Sequence, residues 1–215
     1  WTKCRSGASH HTNVDSSRGA SKQIYPNLTY FEETVGGVSG FLTDGFTLGN
    51  NGTANSNGAT YVAWQWKANG GTTTSFAESG NNPAGTYQAN TTSGFSIVTY
   101  TGTGAAGTIA HGLGVAPKMI FVRNRDVADP WAVYYGDATD YLVLNENAAT
   151  VDNAAWWNDT APSSTVFTVN TDHSVNADGE DYIAYCFANV QSFSKVGTYV
   201  ANAAVDGPFL YTGFQ

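Results

Sequence analysis

The sequence has few charged residues and only two cysteines. Asp, Glu, Lys and Arg make up 12% of its 215 residues, against about 25% in ordinary globular proteins. The formal net charge is −8, with no cluster of Lys or Arg. Because such a chain repels a phosphate backbone, we do not expect nucleic acid as a partner. No apolar run approaches the ~18 residues of a membrane span, so we expect no membrane insertion.

Common enzyme motifs are also missing. The sequence contains no G-x-S-x-G, no H-E-x-x-H and no Walker loop. Gly102–Gly107 fits G-x-G-x-x-G, but glycines follow where a dinucleotide-binding helix would run, so we interpret it as a turn. The carboxylates are scattered, and a pair for glycoside hydrolysis can be neither assigned nor excluded. We predict no catalytic residue, no cofactor and no enzymatic activity.

What the sequence does contain is typical of β-structure. It has 24 glycines, and 41% of its residues are hydrophobic. Helical periodicity is nearly absent, and only Asn147–Trp157 favours a helix, of one or two turns at most. We therefore predict an all-β fold of antiparallel β-sandwich or jelly-roll-like modules in tandem, with little helix. The predicted strands are Tyr61–Lys67, Phe95–Thr101, Lys118–Arg123, Trp131–Tyr135, Tyr141–Asn145, Val166–Asn170, Tyr182–Val190, Lys195–Val200 and Phe209–Tyr211.

The chain repeats itself. Tyr61 and its neighbours from Asn55 to Trp66 recur around Tyr182, an offset of 121 residues (182 − 61). Trp1 aligns with Trp131 at a longer offset, and the stretch after Gly94 recurs after Ser192. Tandem repeats are typical of elongated, multivalent proteins. The predicted organisation is the back part of a first module in residues 1–67, a Gly/Thr/Asn-rich connection in 68–93, a complete β module in 94–190 and the front part of a further module in 191–215.

Two incomplete modules would leave strand edges without partners. We expect residues 1–67 and 193–215 to complete one another, within one chain or as a strand donated to the next chain. The alternative is that a longer polypeptide supplies the missing halves.

The cysteines, histidines and clustered acids do not predict a catalytic or metal site. Cys4 and Cys186 fall at different places in the module, which predicts free, buried thiols. His111 lies between glycines, and we expect its side chain to hold that turn by a hydrogen bond. Asp178 and Asp181 are weak candidates for a calcium site, but the equivalent stretch of the first copy has no carboxylate. A hairpin with glycine at positive φ explains what both copies share, so we predict no metal.

Aromatic residues are the remaining binding signal. Trp64 and Trp66 alternate as core residues of a strand do. The adjacent Trp156 and Trp157 cannot both point inward if their segment is extended, so one of them is expected to be exposed. We take these two and Tyr135 as the candidate ligand-binding residues, because apolar rings with one polar group suit sugar stacking.

Five segments resemble the repeated modules of large virion proteins of tailed bacteriophages, aquatic phages especially, which are tail-fibre-like or of unknown function. They are Gly94–Gly102, Ala110–Arg125, Trp131–Tyr135, Trp157–Pro162 and Asp181–Phe187. The resemblance implies a structural protein located in the virion, in a tail fibre or surface appendage, with other virion chains as partners and a homo-oligomer or fibre as its assembly. It carries over no catalytic residue.

Two functions therefore stay open. The first is a non-enzymatic virion structural component. The second is a glycan-binding module that recognises a host surface, and a polysaccharide depolymerase is a distant third.

Overall fold

The computed structural model describes residues 1–213, which form an all-β fold with three one-turn helices and thus confirm the predicted fold class. The strands are β1 Thr2–Cys4, β2 Asn13–Asp15, β3 Gly19–Ile24, β4 Glu33–Thr34, β5 Val38–Phe41, β6 Phe46–Leu48, β7 Tyr61–Ala63, β8 Thr74–Phe76, β9 Gly85–Asn90, β10 Phe95–Thr101, β11 Gly107–Ala110, β12 Met119–Asn124, β13 Ala132–Tyr134, β14 Asp140–Val143, β15 Val151–Asp152, β16 Val166–Val169 and β17 Asp181–Phe187. The helices are α1 Gly52–Asn55, α2 Ala154–Trp157 and α3 His173–Asn176. Within these residues, no helix has the length and apolar character needed to cross a membrane.

An eight-stranded antiparallel sheet, here called the main sheet, organises the molecule in the order β15-β14-β13-β12-β17-β10-β9-β8. Successive side chains of its inner strand β17 point to opposite faces. Tyr182, Ala184 and Cys186 enter one core, while Ile183 and Tyr185 enter another. The first core is closed by the β11–β16 ribbon and helices α2 and α3. The second core also contains Ile24, from the N-terminal part of the chain.

The predicted connection over residues 68–93 is wrong in part, because β8 and β9 belong to the main sheet. β9 pairs with β10 along its length. The Gly- and Thr-rich composition indicated a linker, yet Gly85 is required by packing: a Cβ there would lie 2.1 Å from the Thr99 carbonyl oxygen. In contrast, the strands predicted at Lys195–Val200 and Phe209–Tyr211 do not form.

The 121-residue repeat is present in three dimensions. Helices α1 and α3 occupy equivalent places and are capped alike, by the side chains of Asn51 and Asp172. After each helix a glycine adopts positive φ, 74° at Gly58 and 75° at Gly179, as predicted. A strand then begins with the repeated tyrosine, Tyr61 or Tyr182.

Both tyrosines hold their helix in the same way. The Tyr61 hydroxyl donates to the Gly52 carbonyl at 2.8 Å and accepts from the Ser56 amide at 3.0 Å. The Tyr182 hydroxyl donates to the carbonyl of His173 at 2.6 Å and accepts from the amide of Ala177 at 2.8 Å. Each partner lies 121 residues from its counterpart, so the two repeats hold their tyrosines by equivalent hydrogen bonds.

The alignment of Trp1 with Trp131 is wrong. β1 pairs with β7 so that Cys4 faces Tyr61, as β12 pairs with β17 so that Asn124 faces Tyr182. Cys4 therefore takes the place of Asn124, and the two free cysteines are buried at different positions of the repeat. The error arose because a single Trp is a weak anchor for an alignment.

The later strands repeat in the same order. β3 and β4 pair through Lys22 and Thr34, as β14 and β15 pair through Asp140 and Asp152. Residues 1–66, the N-terminal repeat, thus share with residues 121–187, the C-terminal repeat, a succession of four strands, and later a one-turn helix and a last strand. The two differ in between, where β6 pairs with β5 but β16 pairs with β11. In the part of the chain that the structure describes, the N-terminal repeat has no counterpart of β10 beside β7.

Candidate functional site

Trp156 and Trp157 are both buried, with 4% and 1% of their surface exposed. Trp156 stacks on Tyr141 with ring centroids 3.8 Å apart, and Trp157 meets Tyr134 edge to face at 6.0 Å. The expectation that one of the pair is exposed is wrong, because the segment forms helix α2 instead of a strand. Consecutive side chains of a helix are only about 100° apart, so both indoles reach the first core.

Tyr135 lies apart from these two residues and is partly buried at the end of β13. Its hydroxyl donates to the Asp140 carboxylate at 3.2 Å. The structure brings no other predicted binding residue to it, and its role in ligand binding stays a prediction.

Asp178 and Asp181 do not form a metal centre with other ligands. The Asp181 carboxylate accepts from the Thr101 hydroxyl at 2.9 Å and lies 3.6 Å from the Arg125 guanidinium. Asp178 is exposed. Over residues 1–213, no three His, Cys, Asp or Glu side chains come together as a metal would need.

His111 holds its turn, as predicted. Its Nδ1 accepts from the Leu113 amide at 3.2 Å, and its Nε2 lies 3.3 Å from the Ser163 carbonyl oxygen. These contacts fit a neutral ring with the proton on Nε2. Burial lowers the pKa of His111, although the Ser163 carbonyl opposes that shift. The residue is fully buried and therefore structural.

A groove lies between the N-terminal repeat and the main sheet, with a volume of about 1160 Å³. Phe95, Phe121 and Phe187 line it from the main sheet, and Trp64 and Trp66 line it from the end of β7. The Trp66 ring lies 5.9 Å from that of Phe187 and 6.3 Å from that of Phe95. Apolar and aromatic walls of this kind are typical of ligand sites.

Trp64 and Trp66 are 45% and 48% exposed, so the prediction that they belong to a core is wrong. The counterpart of Trp64, in contrast, is Tyr185, which is 4% exposed, and the counterpart of Trp66 is Phe187, which is partly buried. The difference has a topological cause, because β17 is covered by strands on both sides whereas β7 has one neighbour, β1, among the described residues. The strand predicted over Tyr61–Lys67 ends at Ala63, so Trp64 and Trp66 follow the strand, and the alternation of aromatics could not show that a neighbouring strand is absent.

Polar side chains line the same groove. They come from the N-terminal repeat, from the residue directly after it and from the C-terminal segment, and include Asp15, Ser16, Asp44, Gln65, Lys67 and Lys195. Carboxylate, amide and hydroxyl groups beside exposed indoles form the combination that binds carbohydrates, since a sugar offers hydroxyl groups at its rim and an apolar C–H face.

Beneath the groove, buried charges join the two repeats. We call Asp15, Arg18, Glu32, Arg125 and Tyr185 the inter-repeat network. Arg18 is paired with Asp15 at 2.6 Å and with Glu32 at 3.0 Å. Arg125, directly after β12, reaches the same Glu32 at 3.0 Å. The Tyr185 hydroxyl donates to Asp15 at 2.7 Å.

The electrostatics of this network follow from its geometry. Burial by itself would raise the pKa of Asp15, but the Arg18 guanidinium and the Tyr185 hydrogen bond hold that pKa below its ordinary value. The same balance holds for Glu32. Burial raises its pKa, but Arg125 and Arg18 lower it by more, so the pKa lies below its ordinary value. Both carboxylates are therefore ionised at neutral pH. Buried ion pairs need such complete pairing to be tolerated.

A second contact fixes the same interface. Arg123 is fully buried and lies 5.9 Å above the Trp131 ring. It donates through Nη2 to the Tyr30 carbonyl at 2.5 Å, and the Trp131 indole donates to the Tyr25 carbonyl at 2.9 Å. Sequence reasoning missed this interface and the inter-repeat network. Partners from opposite repeats lie 93 or more positions apart in the sequence. The one available signal was the small number of charged residues in the chain.

Comparison with curated proteins yields no match, and comparison with solved structures yields none either. A protein-family model with the description "Domain of unknown function (DUF7483)" matches residues 1–215, the whole length of the chain. The chain therefore belongs to the DUF7483 family.

Proposed function

We propose that the chain is a non-enzymatic structural section of a bacteriophage virion appendage, such as a tail fibre, built from tandem β modules. Three features support the proposal: the resemblance of five segments to virion modules, the low charge, and the repeat of one folding unit along the chain. Its partners would be other virion chains, and it would be located in the particle.

The observation that carries the proposal is the rigid junction between repeats. A flexible linker would let two binding modules move independently. Here the inter-repeat network crosses the junction, and so do the hydrogen bonds from Arg123 and Trp131 to the Tyr30 and Tyr25 carbonyls. Such a junction fixes the angle between successive units, as an appendage that must hold its shape requires. Repeats that contact their neighbours in this way build quasi-linear objects.

Immunogold labelling tests the location. Antibodies raised against the recombinant chain are applied to particles purified from a culture that carries its gene. We expect gold on an appendage of phage particles, and no gold when the antibodies are first absorbed with the recombinant chain. Label confined to cell envelopes or to the cell interior would refute the proposal.

A second candidate function is recognition of a host surface glycan, favoured by the exposed Trp64 and Trp66 in the groove. Stacking of a sugar on these indoles would change their fluorescence. Titration with host surface polysaccharide should give a saturable change that Trp64→Ala and Trp66→Ala abolish. Tyr211→Ala, at an exposed ring that does not line the groove, serves as the control.

An unchanged titration curve in both Trp variants would rule out glycan binding in the groove. Release of reducing ends during the same incubation would instead indicate the depolymerase.

A further inference from the structure

One edge of β7 is open. In the C-terminal repeat the equivalent strand β17 has β12 on one side and β10 on the other. In the N-terminal repeat β1 takes the place of β12. No strand within residues 1–213 takes the place of β10. An open edge of this kind is a template for pairing with another strand.

The direction of the backbone groups can be read from the pairing with β1. Arg5 donates its amide to the Thr60 carbonyl at 2.7 Å, and Trp64 donates to the Trp1 carbonyl at 2.9 Å. Residues 60, 62 and 64 thus turn their amides and carbonyls towards β1. Those of Tyr61 and Ala63 consequently point to the open side, because the direction alternates along an antiparallel strand.

Side-chain burial also indicates that β7 lacks a neighbouring strand on this side. Tyr182 is fully buried, and its ring stacks on Tyr100 of β10 with centroids 5.1 Å apart and an angle of 12°. Tyr61 makes the same two hydroxyl bonds but is partly exposed. Ala184 is fully buried, whereas Ala63 is exposed. What β7 lacks is a strand with a tyrosine opposite Tyr61.

The chain carries such a strand near its C-terminal end. Residues 193–200 read Phe-Ser-Lys-Val-Gly-Thr-Tyr-Val, against Phe-Ser-Ile-Val-Thr-Tyr-Thr in β10, with Gly197 as one additional residue. Within this segment Phe193, Tyr199 and Val200 are 60%, 64% and 88% exposed. It forms no strand of its own. β-Branched and aromatic residues left in water in this way favour addition to a sheet edge.

We propose that residues 193–200 of a second chain pair antiparallel with the open edge of β7, with Tyr199 opposite Tyr61. We assign the donor strand to a second chain because the segment of the same chain does not pair with this edge. It does not pair there even though Ser194–Val196 and Trp64–Trp66 line the same groove. The proposal goes beyond the proposed function, and it holds for this chain whatever larger object contains it.

The donor segment and the acceptor edge are different parts of the chain, so the contact is heterologous. A pair of chains joined in this way retains one open β7 edge and one unused segment, so the contact does not close on itself. Heterologous contacts that do not close build linear assemblies. The chain should therefore form a concentration-dependent series of oligomers and not a single dimer.

Ala63→Pro tests the acceptor edge. Because the Ala63 amide points away from β1, proline removes a donor from the open edge and none from the β1–β7 pairing; proline is tolerated at such edge positions. In light scattering over a concentration series, the unaltered chain should show a rising mass and Ala63→Pro a monomer. Ala63→Ser is the matched control and should behave like the unaltered chain. A monomer for the unaltered chain at its highest soluble concentration would overturn the proposal.

Disulfide trapping tests the register and identifies the donor. The pairing of Thr99 with Ile183 in the C-terminal repeat places Thr198 opposite Val62, at a non-hydrogen-bonded position where Cα atoms are close enough for a disulfide. Val62→Cys chains mixed with Thr198→Cys chains should give a disulfide-linked dimer. Val62→Cys mixed with Val205→Cys, at a fully exposed position, should not.

The double variant Val62→Cys/Thr198→Cys separates the two possible donors. A ladder of linked chains supports donation by a second chain. A cross-linked monomer with no ladder means that the chain closes on itself, and it would overturn the proposal. The unaltered chain, treated in the same way, is the control: its two buried cysteines, Cys4 and Cys186, should form no disulfide-linked species.

Discussion

The strongest test of the rigid junction is Asp15→Asn in the inter-repeat network. One carboxylate oxygen of Asp15 accepts from the amides of Ser17 and Arg18, both at 2.9 Å. The other accepts from Arg18 Nε at 2.6 Å and from the Tyr185 hydroxyl at 2.7 Å. Each oxygen of Asp15 thus accepts from two donors. Asparagine replaces one of these oxygens with an NH₂ group, which cannot accept, so in either side-chain orientation two donors lose their acceptor. The variant also removes a buried negative charge beside a buried guanidinium.

The magnitude follows from what remains around Arg18. Removing one partner of a buried ion pair costs about 3–5 kcal/mol. Arg18 keeps Glu32 at 3.0 Å and the carbonyls of Lys22 and Asn13 at 3.3 and 3.2 Å. We therefore expect the lower end, about 3 kcal/mol. For a chain of this size that corresponds to a fall in Tm of roughly 6–12 °C, at 2–4 °C per kcal/mol.

Thermal unfolding at pH 7, followed by circular dichroism, measures this fall. Asp152→Asn is the matched control, because Asp152 is exposed and its carboxylate takes part in no ion pair of the described residues. Tyr185→Phe completes a double-mutant cycle, in which the two changes should be non-additive because the side chains share a hydrogen bond. A fall of less than about 2 °C, under 1 kcal/mol, would show that water reaches Asp15 and that the junction is not sealed.

Three further predictions concern the repeat, a buried histidine and a close backbone contact. Tyr182→Ala should lower the free energy of unfolding by about 3–5 kcal/mol, as truncation of buried aromatics does, and Tyr61→Ala by clearly less, since Tyr61 is partly exposed; equal losses in urea unfolding would contradict this. The pKa of His111 is lowered in the folded chain, so as the pH falls the unfolded chain binds a proton at the ordinary histidine pKa of 6.5, before the folded chain does. Stability should therefore fall as the pH drops below about 6.5. His111→Gln should remove that part of the pH dependence. Gly85→Ala should destabilise by about 1–3 kcal/mol through overpacking, whereas Gly45→Ala, with open space around the added methyl, should have little effect on Tm.

The sequence predicted the class of the fold because the relevant signals are local. β-Branched and aromatic runs between glycines follow the period of a strand, and the recurrence of Tyr61 at Tyr182 fixed the equivalence of two helices and two strands. His111 could be predicted as a turn residue from the glycines that follow it, Gly112 and Gly114. In each case a few neighbouring residues contain the whole signal.

Tertiary structure decided the features that depend on contacts between segments distant in the sequence. The linker composition of residues 68–93 concealed β8 and β9, because glycine at position 85 serves close packing and not flexibility. A short helix was expected in this segment, but only its packing on Tyr141 and Tyr134 made both Trp156 and Trp157 core residues. The inter-repeat network joins Asp15 to Tyr185 across 170 positions, and no local pattern marks such a pair. The sequence by itself therefore determined the folding unit and its repetition, whereas the packing of one repeat on the other determined the groove, the buried charges and the open edge of β7, since these exist only where distant segments meet or fail to meet.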